Sequence, residues 1–206
     1  MWAARAARAR LLAERYAASR EILLFYAELA DWQGRAAGPP EDLLPGLVDL
    51  VRRAGPATLR DAAGRLDRLP PLDAPPPLSF FARAARQPVI VSPCPWCPDH
   101  PQAGCLVPRG EGAALELVCA LCLGRRESPR GRCPACGEER LAWYSAPEFE
   151  HLRVQACEGC QTYLQLVDLS RDPAAIPEVD ELAGLPLDLW ARQRGYRKIQ
   201  PNLAGV

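Results

Sequence analysis

The sequence predicts an α+β protein: a helical N-terminal region, two tandem metal-stabilised β modules, and a C-terminal helix. Three observations predict it. The first ninety residues contain no cysteine and carry apolar residues at helical steps. Eight of the nine cysteines then fall in four C-x-x-C pairs, set among short β-like runs with Gly- and Pro-bearing turns. From Ala174 to Tyr196 the helical spacing returns. The expected organisation is a helical domain over 1–90, a first module over 91–130, a second over 131–172, and a C-terminal helix and tail over 173–206.

In the helical region Leu12, Tyr16, Leu23 and Tyr26 recur near the 3.6-residue period, flanked by Leu11, Ile22 and Leu29. Gly34 to Pro40 breaks the pattern. A second apolar face runs through Leu43, Leu47, Leu50 and Val51. Pro56 suits a first helical turn, ahead of a third stripe at Leu59, Ala63, Leu66 and Leu69. Pro70 to Pro77 is a stiff connector. A short helix from Leu78 to Arg86 follows and stops before Pro88. Beyond the cysteines, Val179, Leu182, Leu187 and Trp190 are the expected packing residues, with Pro177 and Pro186 near the helix boundaries.

The cysteine region is an internal repeat. The first unit is C-x2-C-x21-C-x2-C, Cys94/Cys97 with Cys119/Cys122. The second is C-x2-C-x20-C-x2-C, Cys133/Cys136 with Cys157/Cys160. A C-x-x-C turn points two sulfurs at one metal, and two such knuckles complete a tetrahedron suited to zinc or to iron, as in zinc-ribbon and rubredoxin-like sites. The regular spacing favours ligation over disulfides. Sequential pairing, one metal per unit, preserves the repeat. The alternative joins Cys119/Cys122 to Cys133/Cys136. Either way four thiolates leave no open position for a metal-bound water, so the metal is read as a staple for units too small to fold alone. Gly137 follows the knuckle of "CPACG" and permits positive φ; in "CPWCP" Pro98 takes that place, with no N–H to give, so the first site is expected to be less regular and more labile. Cys105 is read as a small, partly buried thiol, His100 and His151 as surface or rim residues, and Trp96 and Trp143 as packing beside the knuckles.

Composition excludes several function classes. Formal net charge is zero and Lys198 is the sole lysine. No apolar run reaches membrane-span length, so no membrane insertion is expected. The Arg- and Ala-rich start reads as an amphipathic helix, since no apolar h-region follows, and a cytoplasmic location is expected. Between Ser92 and Ser170 seven arginines face ten acids, which argues against a nucleic-acid ribbon. Only Arg125, Arg126, Arg130 and Arg132 make a basic cluster. No G-x-S-x-G, P-loop or dinucleotide fingerprint appears, and no catalytic residue is assigned.

From Ser92 onward, slightly more than half the chain, the sequence resembles the formate dehydrogenase accessory family FdhE. The residues that carry the resemblance are the four pairs in this order, "LVCALC" followed by "RGRCPACG", then "ACEGCQTYLQLVDLSRDP", and the ending "AIPEVDELAGLPLDLWARQRGYRKIQPNLAG". The resemblance implies helices followed by two rubredoxin-like modules, with iron associated with such sites. It also implies a cytoplasmic, non-enzymatic assembly factor that binds the catalytic subunit of a molybdenum- or tungsten-dependent formate dehydrogenase. A groove between helices and ribbons, with Tyr196 and Arg197 near it, is the expected place for a partner segment. Two other classes compete: a nucleic-acid-binding zinc ribbon, and a C-x-x-C thiol or sulfur-transfer protein, whose pairs would be free low-pKa thiols.

Overall fold

The computed structural model describes residues 1–90, 101–203 and 205. Cys94, Trp96, Cys97, Pro98 and His100 therefore lie outside the described residues. Five helices come first: α1 (Trp2–Arg15), α2 (Arg20–Gln33), α3 (Pro40–Ala54), α4 (Ala57–Ala63) and α5 (Leu78–Arg86). Strands β1 (Pro101–Arg109), β2 (Gly112–Cys119), β3 (Arg125–Ser128), β4 (Leu141–Tyr144), β5 (Leu152–Cys157) and β6 (Thr162–Asp168) follow. Helices α6 (Pro177–Ala183) and α7 (Leu185–Gln193) and the short strand β7 (Arg197–Lys198) end the chain.

The first apolar stripe belongs to two helices. Tyr16 leaves the helical region at φ −115°, and a 3-10 turn over Ala17–Ser19 reverses the chain, so Leu12 and Tyr16 lie on one arm and Leu23 and Tyr26 on the other. Tertiary partners hold the reversal. The Tyr16 ring stacks on Phe149 at 5.1 Å, and the Ser19 hydroxyl donates to the Ala183 carbonyl at 2.8 Å. The third stripe is helical only as far as Ala63; Leu66 and Leu69 pack against the core from irregular chain. The helix expected from Leu78 to Arg86 has those bounds, and the proline connector precedes it.

Among the described residues seven strands share one sheet, in the order β3-β2-β1-β6-β5-β4, with β7 also on β6. The joint between β1 and β6 is parallel; β1–β2, β2–β3, β4–β5 and β5–β6 are antiparallel. One face, carrying Cys105, Leu152, Val154, Ala156, Tyr163 and Val167, joins the helical core. The other gathers Leu106, Leu115, Leu117, Leu164 and Leu166 into a separate leucine cluster. Gly104 belongs to this second face, where a Cβ would lie 2.6 Å from Leu166 Cδ2.

The expected C-terminal helix is two helices parted at Gly184. The Gln165 side chain lies where a Cβ at Gly184 would be and donates to its carbonyl at 3.1 Å; Pro186 then sits in the first turn of α7. The α6 sequence is acidic yet buried, because cations from elsewhere in the chain meet it. Arg5 Nε donates to Glu178 at 2.6 Å, and Arg8 bridges Asp180 and Asp172. The sole lysine pins the tail: Lys198 Nζ donates to Glu181 at 2.7 Å and Asp188 at 2.9 Å. Burial pushes the Glu181 carboxyl up to about 7, against the lowering by Lys198.

Candidate metal centre

The knuckles of the second unit are built by backbone geometry. Gly137 has φ +77° and donates its N–H to the Cys133 carbonyl at 2.8 Å. Gln161, in the same place after Cys157 and Cys160, has φ +55° and donates to the Cys157 carbonyl at 3.0 Å. Leu123, after Cys119 and Cys122, has φ +57° and donates to the Cys119 carbonyl at 3.1 Å. The position after the second cysteine thus needs a left-handed backbone and an N–H in every described knuckle. In the sequence Pro98 follows the Cys94/Cys97 pair, and proline has neither an N–H nor access to positive φ.

Cys133, Cys136, Cys157 and Cys160 come together, their sulfurs all within 4.8 Å of one another. Cys133 to Cys160 and Cys136 to Cys157 are each 3.7 Å apart. A disulfide needs about 2.05 Å. Metal–sulfur bonds of about 2.3 Å in a tetrahedron give a sulfur–sulfur edge of about 3.8 Å. The cysteines therefore stand at ligand spacing, and the all-sulfur donor set fits zinc or iron. Cys133 and Cys157 are buried, Cys160 half-buried and Cys136 exposed, so the site opens to solvent on one side. Arg132, Glu138, Glu139 and Arg140 rim that side.

Electrostatics in the cluster are those of thiols that share protons until a cation replaces them. The N–H of Glu138 lowers the Cys136 thiol, but neighbouring Cys160, Cys157 and Cys133 together push it up to about 12. Burial raises Cys160, yet hydrogen bonds, first from Thr162, outweigh it and bring that thiol down to about 7. Thr162 Oγ1 lies 3.0 Å from Cys160 Sγ and 3.8 Å from Cys133 Sγ, so its hydroxyl can donate to a bound thiolate. Sequence reasoning passed over this residue, although "CEGCQT" places it just after the knuckle.

In the first unit the described paired cysteines are Cys119 and Cys122. Leu121 N–H points at Cys119 Sγ at 3.4 Å, matching Ala135 N–H on Cys133 Sγ at 3.4 Å. Cys105 is fully buried, and burial first of all pushes its thiol up to about 11, as expected of a packing cysteine. One expectation is corrected. His151 is neither surface nor rim: the turn into β5 carries it beneath α6, where its Nε2 meets Asp180 Oδ1 at 2.8 Å. His151, Asp172 and Asp180 come within metal-ligand reach, but the Arg8 guanidinium already bridges the two carboxylates. Trp143 stands on β4 at the sheet edge, 47% exposed.

Residues 132–204 match the family model described as "FdhE, C-terminal domain". The chain carries an FdhE C-terminal domain. It contains all four clustered cysteines, α6, α7 and the Lys198 anchor. Proteins named "Protein FdhE homolog" are similar over a longer stretch, 117 or 118 residues in two of them. One from Aquifex aeolicus (strain VF5) is 31% identical over 54% of this chain and 41% of the relative. One from Pseudomonas putida KT2440 is 34% identical over 53% of this chain and 37% of the relative. The matched stretch therefore spans less than half of each of these relatives. The crystal structure of the FdhE protein from Pseudomonas aeruginosa shares the fold: TM-score 0.68 and 26% identity over 98% of this chain and 94% of that one. The helices before the FdhE C-terminal domain thus share that architecture too.

Proposed function

We propose that this chain is an accessory protein for the maturation of formate dehydrogenase, acting in the cytoplasm and binding the enzyme's catalytic subunit through a scaffold held by two four-cysteine metal sites, iron or zinc. The FdhE C-terminal domain carries this reading, together with a sulfur cluster at ligand spacing that leaves no open coordination position. A protein built this way works through its surfaces. The groove expected between helices and ribbons has a counterpart in a cavity of about 270 Å³, walled by Leu29, Phe80, Ala120, Leu123, Leu182 and Leu203. Tyr196 and Arg197 do not line it: Tyr196 packs against the helical core, and Arg197 pairs with Thr162 on the sheet. Sites assigned by extension of the repeat are Cys94, Cys97, Cys119 and Cys122.

The basic cluster gives the nucleic-acid reading little support. Arg132 pairs with Glu139 at 2.9 Å, and Arg130 donates to the Ala113 carbonyl at 3.0 Å. Deleting the gene should abolish formate dehydrogenase activity while leaving the enzyme's transcripts intact. The full chain supplied on a plasmid should restore the activity and capture the catalytic subunit. Undiminished activity in the deletion strain, with no second factor compensating, overturns the reading.

A further inference from the structure

The two cysteine units correspond strand for strand in order and register, with one difference at the edge of the sheet. In the first unit Pro101, Ala103, Gly104 and Cys105 of β1 lie opposite Cys119, Val118, Leu117 and Glu116 of β2. In the second, Leu141, Ala142, Trp143 and Tyr144 of β4 lie opposite Cys157, Ala156, Gln155 and Val154 of β5. β4 is therefore the counterpart of β1, apart from the extra residue Gln102 at the β1 irregularity. By the same matching β6 is the counterpart of β3. The units sit head to tail, since the first strand of one pairs in parallel with the last strand of the other, β1 with β6. β1 thus has a strand on each side. β4, its equivalent, ends the sheet, and among the described residues no strand lies beyond it.

The two free edges differ. β3 reads Arg-Arg-Glu-Ser, with its charges exposed, which is how proteins deter edge pairing. β4 reads Leu-Ala-Trp-Tyr, without a charge. Aromatic rings flank it on both faces. Trp143 is 47% exposed on the leucine face; on the helix face Tyr144 packs on Trp190 at 4.5 Å and Arg194 covers Trp190 at 4.0 Å. An uncharged edge between aromatic anchors suits an added strand.

We propose that the outer edge of β4 is a docking site for an extended segment of a partner protein, lying parallel to β4 as β6 lies along β1. The intramolecular joint specifies the occupant. Gln165, Leu166 and Val167 lie opposite Ala103, Gly104 and Cys105, and Leu166 fills the space that Gly104 leaves. At β4 the position of Gly104 is held by Trp143, so the large and small partners exchange sides. The docked segment carries a small residue opposite Trp143, with an apolar residue opposite Tyr144. A second copy of this chain is a poorer occupant. The same register sets Ser128 of β3 against Trp143 but Pro129 against Tyr144, and proline has no N–H for the ladder. This inference stands on the sheet alone and does not depend on which enzyme the chain serves.

The test uses the metal-loaded full chain, labelled with nitrogen-15, and two synthetic peptides: TYLQLVD, the β6 sequence, and TYLQGVD. The glycine peptide should shift and protect the amides of residues 141–144 and the Trp143 indole N–H. The leucine peptide should bind at least tenfold more weakly. Trp143→Gly, which restores the first unit's small residue, should reverse that preference; Trp143→Ala serves the same purpose if the glycine variant loses its fold. No protection of residues 141–144 at millimolar peptide overturns the proposal, as does a preference that the substitution leaves unchanged. Protection of both β3 and β4 that grows with protein concentration alone would assign the edge to a second copy and likewise overturn it.

Discussion

Replacing Cys133 and Cys136 together by serine should unfold the second cysteine unit and remove one metal from the chain. The hydroxyl is a harder, far less acidic donor than the thiolate and does not hold a soft tetrahedral site. Structural zinc contributes about 10–16 kcal/mol of apparent binding free energy in finger-sized units, and folding stability for a whole domain is about 5–15 kcal/mol. Losing the site therefore removes as much free energy as holds the unit folded. The damage should spread through the shared sheet, because β6 carries both β1 and β7 and hence part of the Lys198 anchor. The expected readout is a fall in bound metal by one ion per chain, loss of amide protection in β4 to β6, and weakened capture of the catalytic subunit. Because the ligands must be deprotonated, acid should release the metal from the unaltered protein by the same linkage. A double variant that keeps its metal content and its unfolding midpoint contradicts the site.

Asp180→Ala should cost about 3–5 kcal/mol, the range for removing one partner of a buried ion pair. Asp180 is fully buried and accepts from Arg8, from His151 at 2.8 Å and from the Ile176 N–H at 2.8 Å. Its loss leaves the buried Arg8 guanidinium with Asp172 alone and takes the acceptor from the Ile176 N–H at the start of α6. Because Arg8 lies on α1, the N-terminal hairpin and the FdhE C-terminal domain should loosen together. Urea unfolding measures this, and a loss below about 1 kcal/mol would show that the network does not join the two parts. Replacing Arg8 and Asp180 together by apolar residues of similar size should recover most of the loss. Asp172 adds a dependence on pH. Burial raises its carboxyl, but the hydrogen bond and charge of Arg8 outweigh it and hold it below the ordinary range. Its contribution is complete above the unfolded value of about 3.9 and is lost as pH falls through the lower, folded value.

What the sequence made legible follows from what each signal encodes. The C-x-x-C pairs of the second unit announced the sulfur cluster because ligand spacing is local, and Gly137 announced its left-handed turn because few other residues favour one. The proline connector and the helix from Leu78 to Arg86 were equally readable from fixed backbone preferences. The break at Tyr16 was not, because the ring that holds it, Phe149, is far away in sequence. The buried role of His151 was hidden for the same reason: a lone histidine reads as surface until Asp180 arrives from α6. Nothing within "PEVDELAGLPLD" itself signals that its acids are buried; only the tertiary placement of Arg5, Arg8 and Lys198 allows it. The place of Trp143 at the sheet edge was not legible, because it depends on which strand ends the sheet, and pairing order is a long-range property.

The central claim is that two four-cysteine metal sites of unequal strength hold this scaffold. The measurement that tests it most directly is the metal content of anaerobically purified protein during titration with a graded chelator, each fraction resolved by which cysteines become reactive. The account predicts two ions per chain at the start. Cys94 and Cys97 should become reactive first, since Pro98 cannot form the turn that Gly137, Gln161 and Leu123 form, and Cys133, Cys136, Cys157 and Cys160 should follow as a group. A folded, metal-free protein with eight or nine freely reactive thiols would contradict the claim, and release of the Cys133 group first would contradict the inequality of the sites.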